Sequence, residues 1–260
     1  MDRSELDQGA ARTAAQLRLQ LAQVTMVSQA LERTATDEKS RQHLAELDQS
    51  ICRMLRIVGR LELSQRLGEE DGQLRLVPVD LAKVVRELGE RLEGLLACAG
   101  VELTVSVPDR LGARADEGLV RQMVMELVAN AAKAGRHVTL SLARQGDRAV
   151  FTVEDDGPGI PPERIEYLFH SQAEAVPDWR RGGVGVPIAR RIALLPGGAL
   201  MAECAPGQGL RVAAAIPLGE PVTATLESPS LNWDREGLFS EEMVALSELL
   251  PTWVFDPDNE

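Results

Sequence analysis

The sequence predicts an α+β protein in which an N-terminal hairpin of two long helices precedes a domain of mixed helices and strands. Over the first 66 residues, apolar side chains recur at spacings of three, four and seven, which is typical of helices that pack against each other. From residue 74 onward, short segments of alternating apolar and polar residues are interspersed with further helical patterns. Several of these segments are neighbours joined by tight turns, so antiparallel strands beside helices are favoured.

The hairpin is predicted from two apolar stripes and the short link between them. The first helix is expected at 4–33, and Thr36 is the expected N-cap of the second. The stripes comprise Leu17, Leu21, Val24 and Leu31, and then Leu44, Leu47, Ile51, Met54, Val58 and Leu61. The short link predicts antiparallel packing. Because two helices bury little apolar surface, we expect residues 4–66 to pair with a second copy as a homodimeric four-helix bundle.

The remaining elements follow from alternation, capping residues and turns. Strands are predicted at 74–79, 101–107, 138–143, 149–154, 201–204 and 210–216, and helices at 81–97, 117–134 and 184–195, with a short one starting at 161–164. Asp80 and Asp116 are the expected N-caps of the helices that follow them. We therefore place a hairpin domain at 1–67, a second domain at 74–218 and a C-terminal extension at 219–260. In the extension, Ser240 is expected to cap a helix over 241–250.

Charge and composition exclude several classes of partner. The net charge is −12, and residues 219–260 carry ten acidic residues against one arginine, which accounts for −9 of it. Such a field disfavours nucleic acid and anionic membranes as partners. The apolar runs are far shorter than the ~20 residues of a membrane-spanning helix, and no signal sequence is evident. Three widely spaced cysteines are typical of reduced thiols, so we expect a cytoplasmic protein.

Three segments carry residues suited to nucleotide chemistry. In the first, Glu126, Asn130 and Lys133 lie at i, i+4 and i+7, on one face of the predicted helix. A carboxylate, an amide oxygen and an ammonium on that face can reach water, a metal ion and a phosphate, and Mg²⁺ prefers such hard oxygen ligands. An ordinary polar helix surface is the alternative interpretation.

The second and third segments are rich in glycine. Asp155 ends a predicted strand and is followed by Gly157 and Gly159, which allow close backbone approach, although a simple turn explains the same residues. The segment containing Arg181, Gly183 and Gly185 enters a predicted helix, where free backbone N–H groups can bind an anion. A flexible loop before a helix is the alternative interpretation for this segment.

In this order and spacing, the three segments resemble the N, G1 and G2 boxes of the Bergerat-fold (GHKL) ATPases, which include the histidine kinases, gyrase, the heat-shock chaperone ATPase and the mismatch-repair ATPase. The resemblance covers about 77–218 and implies a Bergerat-type α/β sandwich that binds Mg-ATP. It also implies roles for individual residues: Asp155 recognises the adenine amine, Asn130 coordinates Mg²⁺, Lys133 contacts a phosphate, Gly157 and Gly159 line the base and ribose, and Gly183 and Gly185 lie beside the phosphates.

Some positions depart from the commonest pattern of that family. Glu126 stands where many histidine kinases have Asn, and the other ATPases use Glu there as a general base. Arg181 replaces the first glycine of the G2 box and is itself a candidate phosphate ligand, and Pro187 stands where Ala is common. Residues 168–170 resemble the F box and 171–182 a short ATP lid.

The hairpin lies where histidine kinases carry their dimerisation and phosphoacceptor helices. The segment from Leu17 to Leu21 resembles the residues that follow the phosphoacceptor histidine, which places Ala15 at the histidine position. An alanine methyl group cannot accept a phosphoryl group, so autophosphorylation on this helix is not expected. Half of the eight aromatic residues lie in the acidic extension, which is typical either of a docking segment or of an extra layer on the protein's own surface.

These observations predict a histidine kinase-like signalling protein that binds Mg-ATP and acts as a pseudokinase-like regulator, or as an ATPase or kinase, in a two-component-type pathway. A response regulator or another protein is the expected partner. Two alternatives remain open from the sequence. One is a non-catalytic scaffold that docks a response regulator and has a vestigial nucleotide pocket. The other is a serine kinase like the anti-sigma-factor kinases, against which the long hairpin counts.

Overall fold

The computed structural model describes residues 3–67, 74–160, 185–204, 207, 209–219 and 239–256. The chain divides into two compact units, Met1–Gly72 together with Trp233–Glu260, and Gln73–Asn232. Among the described residues, no helix has the length and apolar character needed to cross a membrane. The predicted short helix starting at 161–164, the F box and the lid lie outside the described residues.

The first unit is built on two long helices, α1 (Arg3–Glu32) and α2 (Glu38–Arg66). The predicted N-cap of α2 was wrong by one residue. Asp37 rather than Thr36 caps the helix, because the Asp37 carboxylate accepts a hydrogen bond from the backbone N–H of Ser40 at 2.9 Å. Either residue type is a good N-cap, so only the course of the backbone selects between them.

The heptad positions of α1 and α2 separate into one buried and one exposed row on each helix. The buried rows are Ala14, Leu21 and Ser28 on α1 and Leu44, Ile51 and Val58 on α2. The exposed rows are Leu17, Val24 and Leu31 on α1 and Leu47, Met54 and Leu61 on α2, which are 37–49% exposed. In both helices the two rows are about 60° apart around the axis. Among the residues that the structure describes, the hairpin thus presents a continuous exposed apolar face.

The C-terminal segment of the described chain packs on α2. It consists of the short helix α6 (Glu241–Leu246) and a 3₁₀ helix (Thr252–Phe255), numbered after the helices of the second unit. Leu246, Leu250 and Phe255 are buried. Ser240 caps α6 as predicted, but the helix ends four residues before the predicted boundary. In the segment after this helix, the side-chain amide of Gln49 donates a hydrogen bond to the carbonyl of Leu250 at 2.7 Å.

The second unit combines helices and a mixed sheet. Its elements are β1 (Val77–Asp80), α3 (Leu81–Cys98), β2 (Glu102–Ser106), β3 (Gly112–Ala115), α4 (Glu117–Ala134), β4 (His137–Gln145), β5 (Arg148–Asp155), α5 (Gly185–Leu194), β6 (Ala199–Cys204) and β7 (Leu210–Pro217). Five strands form one sheet in the order β2-β4-β5-β7-β6, in which only β2 and β4 are parallel. The predicted α+β class is confirmed.

β1 and β3 form a small two-stranded ladder, of which the sequence predicted β1 but not β3. β3 has the sequence Gly-Ala-Arg-Ala, which lacks β-branched and aromatic residues, so its local propensity for a strand is low. It forms because β1 pairs with it and because the N–H of Arg114 donates to the carbonyl of Leu218 at 2.9 Å. The predicted N-caps Asp80 and Asp116 are both confirmed.

The core lies between the five-stranded sheet and the helices α3, α4 and α5, which pack on it. Alternate residues of β4 and β5 are buried, with Leu140 and Phe151 fully enclosed. Asp155 continues the buried alternation of β5 after Phe151 and Val153. Since side chains alternate between the faces of a sheet, its carboxylate emerges on the face that the helices cover.

Candidate functional site

The helix α4 presents the first candidate residues on one face. Asp116 fixes its start by accepting a hydrogen bond from the N–H of Leu119 at 3.2 Å. Glu126 is 3% exposed, Asn130 is half-buried and Lys133 lies exposed in the last turn. The helix therefore spans from a buried carboxylate to an ammonium in solvent over two turns.

Glu126 is held in place by a neighbour one turn earlier. The side-chain amide of Gln122 donates to Glu126 Oε1 at 3.0 Å. Gln122 was not among the residues predicted from the sequence, although its i−4 spacing from Glu126 is a usable signal. This hydrogen bond restricts the orientation of the buried carboxylate.

The first residue of α5 lies directly over Glu126 and Asn130. A Cβ atom at Gly185 would be 2.5 Å from Asn130 Nδ2 and 2.8 Å from Glu126 Oε2, which is closer than real Cβ contacts allow. Only glycine permits this approach of the backbone. The G2 segment, described here from Gly185 onward, and the N segment thus share one site, while Arg181 and Gly183 lie outside the described residues.

The loop after β5 packs on the other end of α4. Asp155 is 9% exposed, and its Oδ1 accepts a hydrogen bond from the N–H of Gly157 at 2.9 Å. A Cβ at Gly157 would be 2.6 Å from the carbonyl oxygen of Ala134, so this glycine rests on the end of the helix. Gly159 follows in the same loop and is half-buried. The structure therefore brings Asp155 and Gly157 to the helix that carries Asn130 and Lys133.

Gly209, which directly precedes β7, packs against the backbone of Asp155. Gly209 has φ +79°, a conformation that favours glycine, and a Cβ there would overlap the carbonyl oxygen of Asp155. Cys204 Sγ accepts a hydrogen bond from the N–H of Ile160 at 2.9 Å and donates to the carbonyl of Gly209 at 3.1 Å. Sequence reasoning missed Cys204, because a single cysteine in a strand has no local signature of this role.

The electrostatics of the two neighbouring aspartates differ. Burial raises the pKa of Asp155, although the hydrogen bond from Gly157 partly opposes this shift. The pKa of Asp156 is lowered to about 2, chiefly by hydrogen bonds from the backbone and side chain of His137 and from the backbone of Arg136. One carboxyl group is thus buried and the other is exposed and firmly ionised.

These residues fit a magnesium–nucleotide ligand. Asn130 Nδ2 is buried and makes no hydrogen bond within the part of the chain that the structure describes. Rotation of the amide by half a turn would place its oxygen at the same position. An amide oxygen there is a hard donor of the kind that Mg²⁺ prefers. The N-terminus of α5, which begins at Gly185, adds backbone N–H groups suited to phosphate.

Comparison with known proteins gives the class of this domain. Residues 115–220 match the family model of the histidine kinase-, DNA gyrase B- and HSP90-like ATPases. The domain is therefore an ATPase domain of this family, and the Bergerat-type fold expected from the sequence is confirmed.

The chain is also similar to individual proteins, among them two relatives and one solved structure. The chain is 30% identical over 217 residues to the adaptive-response sensory kinase SasA of Crocosphaera subtropica, covering 78% of this chain and 57% of the relative. It is 28% identical to the circadian input-output histidine kinase CikA of Synechococcus elongatus, covering 71% of this chain and 26% of the relative. The crystal structure of full-length ShkA in complex with AMPPNP superposes with a TM-score of 0.67 at 27% identity, covering 81% of this chain and 45% of that one.

The chain is similar to two-component histidine kinases along most of its length. It spans about half the length of the curated relatives it matches, between 39% and 57% for the first three.

Proposed function

We propose that this chain binds Mg-ATP in its second unit, between α4, α5 and the loop after β5. The observation that carries the proposal is the contact of the Gly185 backbone with Glu126 and Asn130, at one end of a site whose other end holds Asp155 and Gly157 against the same helix. Three segments that are far apart in the sequence thereby meet around α4.

The residues take the roles that the family resemblance implies. Asp155 accepts a hydrogen bond from the adenine amine, Gly157 and Gly159 admit the base and ribose, and Asn130 ligates Mg²⁺. Lys133, Arg181, Gly183 and Gly185 serve the phosphates. Bound Mg-ATP supplies an activated phosphoryl group. Glu126, oriented by Gln122, accepts a proton from a water molecule and so serves as general base.

The hairpin forms a homodimer through residues 4–66. The exposed rows on α1 and α2 support this, because they lie side by side on the hairpin and would be covered by the same rows of a second copy. Single exposed apolar residues need no explanation, but here three on each helix recur every seven residues and form one contiguous apolar surface. A response regulator is the proposed partner of the assembled protein.

The chain acts as a pseudokinase-like regulator, or transfers phosphate to an acceptor outside this chain. Ala15 is exposed on α1 at the position where the resemblance places the phosphoacceptor histidine. His43 is also exposed, but it lies in the first turns of α2 beside Glu46. Incubation with labelled ATP should therefore leave the chain unlabelled, and acid-labile label on α1 or α2 would contradict the proposal.

Calorimetric titration with Mg-ATP tests the binding site. We expect affinity between micromolar and submillimolar, which Asp155→Asn weakens strongly. Asp147→Asn is the matched control, because Asp147 lies in the β4–β5 turn at the opposite end of β5, about 26 Å along the strand. Absence of heat up to millimolar Mg-ATP would instead favour a non-catalytic scaffold with a vestigial nucleotide pocket.

Phosphate release tests the proposed base. If the wild-type protein hydrolyses ATP, Glu126→Gln should slow release by about 10²- to 10⁴-fold, the usual contribution of general base catalysis. The variant should still bind Mg-ATP. Equal rates of release for both proteins would remove Glu126 from the mechanism.

A further inference from the structure

Asp156 connects the loop that carries Asp155 to the start of β4. Its Oδ1 accepts hydrogen bonds from the backbone N–H groups of Arg136 at 2.7 Å and His137 at 2.9 Å. Its own N–H donates to the carbonyl of His137 at 3.3 Å. Three bonds therefore join one residue to the two residues with which the chain enters β4.

The same junction ends α4. The N–H of Gly135 donates to the carbonyl of Ala131 at 2.9 Å, in the last turn of the helix. A Cβ at Gly135 would overlap Asp156 Oδ1 and would lie 2.9 Å from the Asp156 backbone nitrogen. The carboxylate of Asp156 thus lies against the segment that leaves the helix bearing Asn130, with no space for a larger residue.

The side chain of His137 forms the outer part of this connection. His137 Nδ1 pairs with Asp156 Oδ2, and His137 Nε2 lies 3.5 Å from Glu102 Oε2 on β2. These two carboxylates raise the pKa of His137. Because the imidazole is 67% exposed, we expect this ion pair to add little beside the two backbone hydrogen bonds.

We propose that Asp156 is a positioning residue for nucleotide recognition, which holds the Asp155 carboxylate in register with Asn130 through its hydrogen bonds to the Arg136 and His137 backbone. The inference rests on the proposed function, since it assigns Asp156 to the same nucleotide site. Asp156 itself does not touch the base: it acts through Asp155, the next residue in the chain.

The test compares Mg-ATP with Mg-ITP, whose base has a carbonyl oxygen in place of the adenine amine. Only ATP can donate a hydrogen bond from that position to Asp155. Asp156→Ala should weaken Mg-ATP binding by about tenfold, as expected for the loss of hydrogen bonds to a charged group, and leave Mg-ITP binding within about twofold. A general loss of structure would lower both affinities alike, so the ATP/ITP ratio distinguishes positioning from stability.

Three further variants separate the parts of the connection. Asp156→Asn keeps an acceptor oxygen for both backbone N–H groups and should restore the wild-type ratio. His137→Ala keeps the backbone donors and should also leave the ratio unchanged. Gly135→Ala intrudes on the Asp156 carboxylate without removing it, so it should lower the ratio, and it carries the test if Asp156→Ala does not fold.

The outcomes of this experiment are distinct. Wild-type protein that binds neither nucleotide would overturn the proposed function and this inference with it. Wild-type protein that prefers ATP, with an unchanged preference in Asp156→Ala and Gly135→Ala, would overturn the role of Asp156 alone. Asp147→Ala, in the distant β4–β5 turn, is the matched control and should behave as wild type in both titrations.

Discussion

Gly185 begins α5 with its backbone against two polar side chains, and its replacement by alanine gives a sharp test of the site. The added methyl group would lie 2.5 Å from Asn130 Nδ2 and 2.8 Å from Glu126 Oε2. Both atoms are the far ends of side chains, so they can move away while the backbone stays in place. The fold should therefore tolerate Gly185→Ala, whereas the arrangement of Glu126 and Asn130 should not.

The expected loss of affinity follows from that displacement. Loss of a buried polar contact costs about 1–3 kcal/mol, which corresponds to a decrease in affinity for Mg-ATP of about 5- to 150-fold. Calorimetric titration measures the affinity, and thermal unfolding without nucleotide measures the stability. Unfolding temperature should change by only a few degrees, because the helix N-terminus keeps a permitted conformation.

Gly94→Ala is the matched control for this variant. Gly94 is exposed in α3, where a Cβ would meet no atom within 4 Å. Alanine there should stabilise the unit by about 0.5–1 kcal/mol through its better helix propensity and leave affinity unchanged. Wild-type affinity for Mg-ATP in Gly185→Ala would show that the backbone of α5 does not lie against Glu126 and Asn130 in the protein.

Three more predictions follow from particular contacts. Burial and the neighbouring Asp48 raise the pKa of Glu32 from 4.5 to about 7. The favourable contribution of Glu32 to the free energy of unfolding is therefore fully present below pH 4.5 and is lost as the pH rises through 7. Glu32→Gln should stabilise the protein above pH 7 by about 1–2 kcal/mol, allowing for partial exposure, and should make the free energy of unfolding depend less on pH. Gly209→Ala, in a left-handed conformation against the Asp155 carbonyl, should destabilise the second unit by about 2 kcal/mol or more in chemical denaturation. Gln49→Ala removes hydrogen bonds to Leu250 and Thr252 and should increase hydrogen exchange in the C-terminal segment.

Each of these three has a control and a contrary result. Asp37→Asn, at an exposed helix cap, should not reproduce the stabilisation by Glu32→Gln above pH 7. If Glu32→Gln unfolds with the same pH dependence as the wild-type protein, Glu32 beside Asp48 is not the cause of that dependence. Gly146→Ala has a similar backbone angle but open space around it, so equal destabilisation by both glycine variants would exclude the contact with Asp155. Exposed Gln42→Ala should leave exchange unchanged, and unchanged exchange in Gln49→Ala would show that the hydrogen bonds to Gln49 do not limit opening of the segment.

Much of the fold was predictable because its signals are local. The caps Asp80 and Asp116 bind N–H groups two or three residues away, and a short polar sequence of this kind fixes a helix start wherever it occurs. The β4–β5 hairpin follows from alternation on both sides of a turn containing Gly146. The candidate residues on α4 likewise follow from helical spacing alone.

Other features had no local signal. β3 has a sequence of low strand propensity and exists only through its pairing with β1. Cys204 joins Ile160 to Gly209, and its neighbours in the sequence do not indicate this. The segment that follows α6 is held by a hydrogen bond between Gln49 and Leu250, which are 201 residues apart in the sequence.

The sequence alone predicts one apolar stripe on each helix of the hairpin and three segments that resemble the nucleotide-binding boxes of a family, in the order found in that family. The tertiary structure determines which residues of a stripe are buried: Leu21 is buried, whereas Leu17, Val24 and Leu31 of the same stripe are exposed. It also decided that Gly185 meets Asn130 and that the C-terminal segment lies on α2. The physical reason is that periodicity and capping are set by residues within one or two turns, whereas burial depends on which surfaces distant parts of the chain bring together.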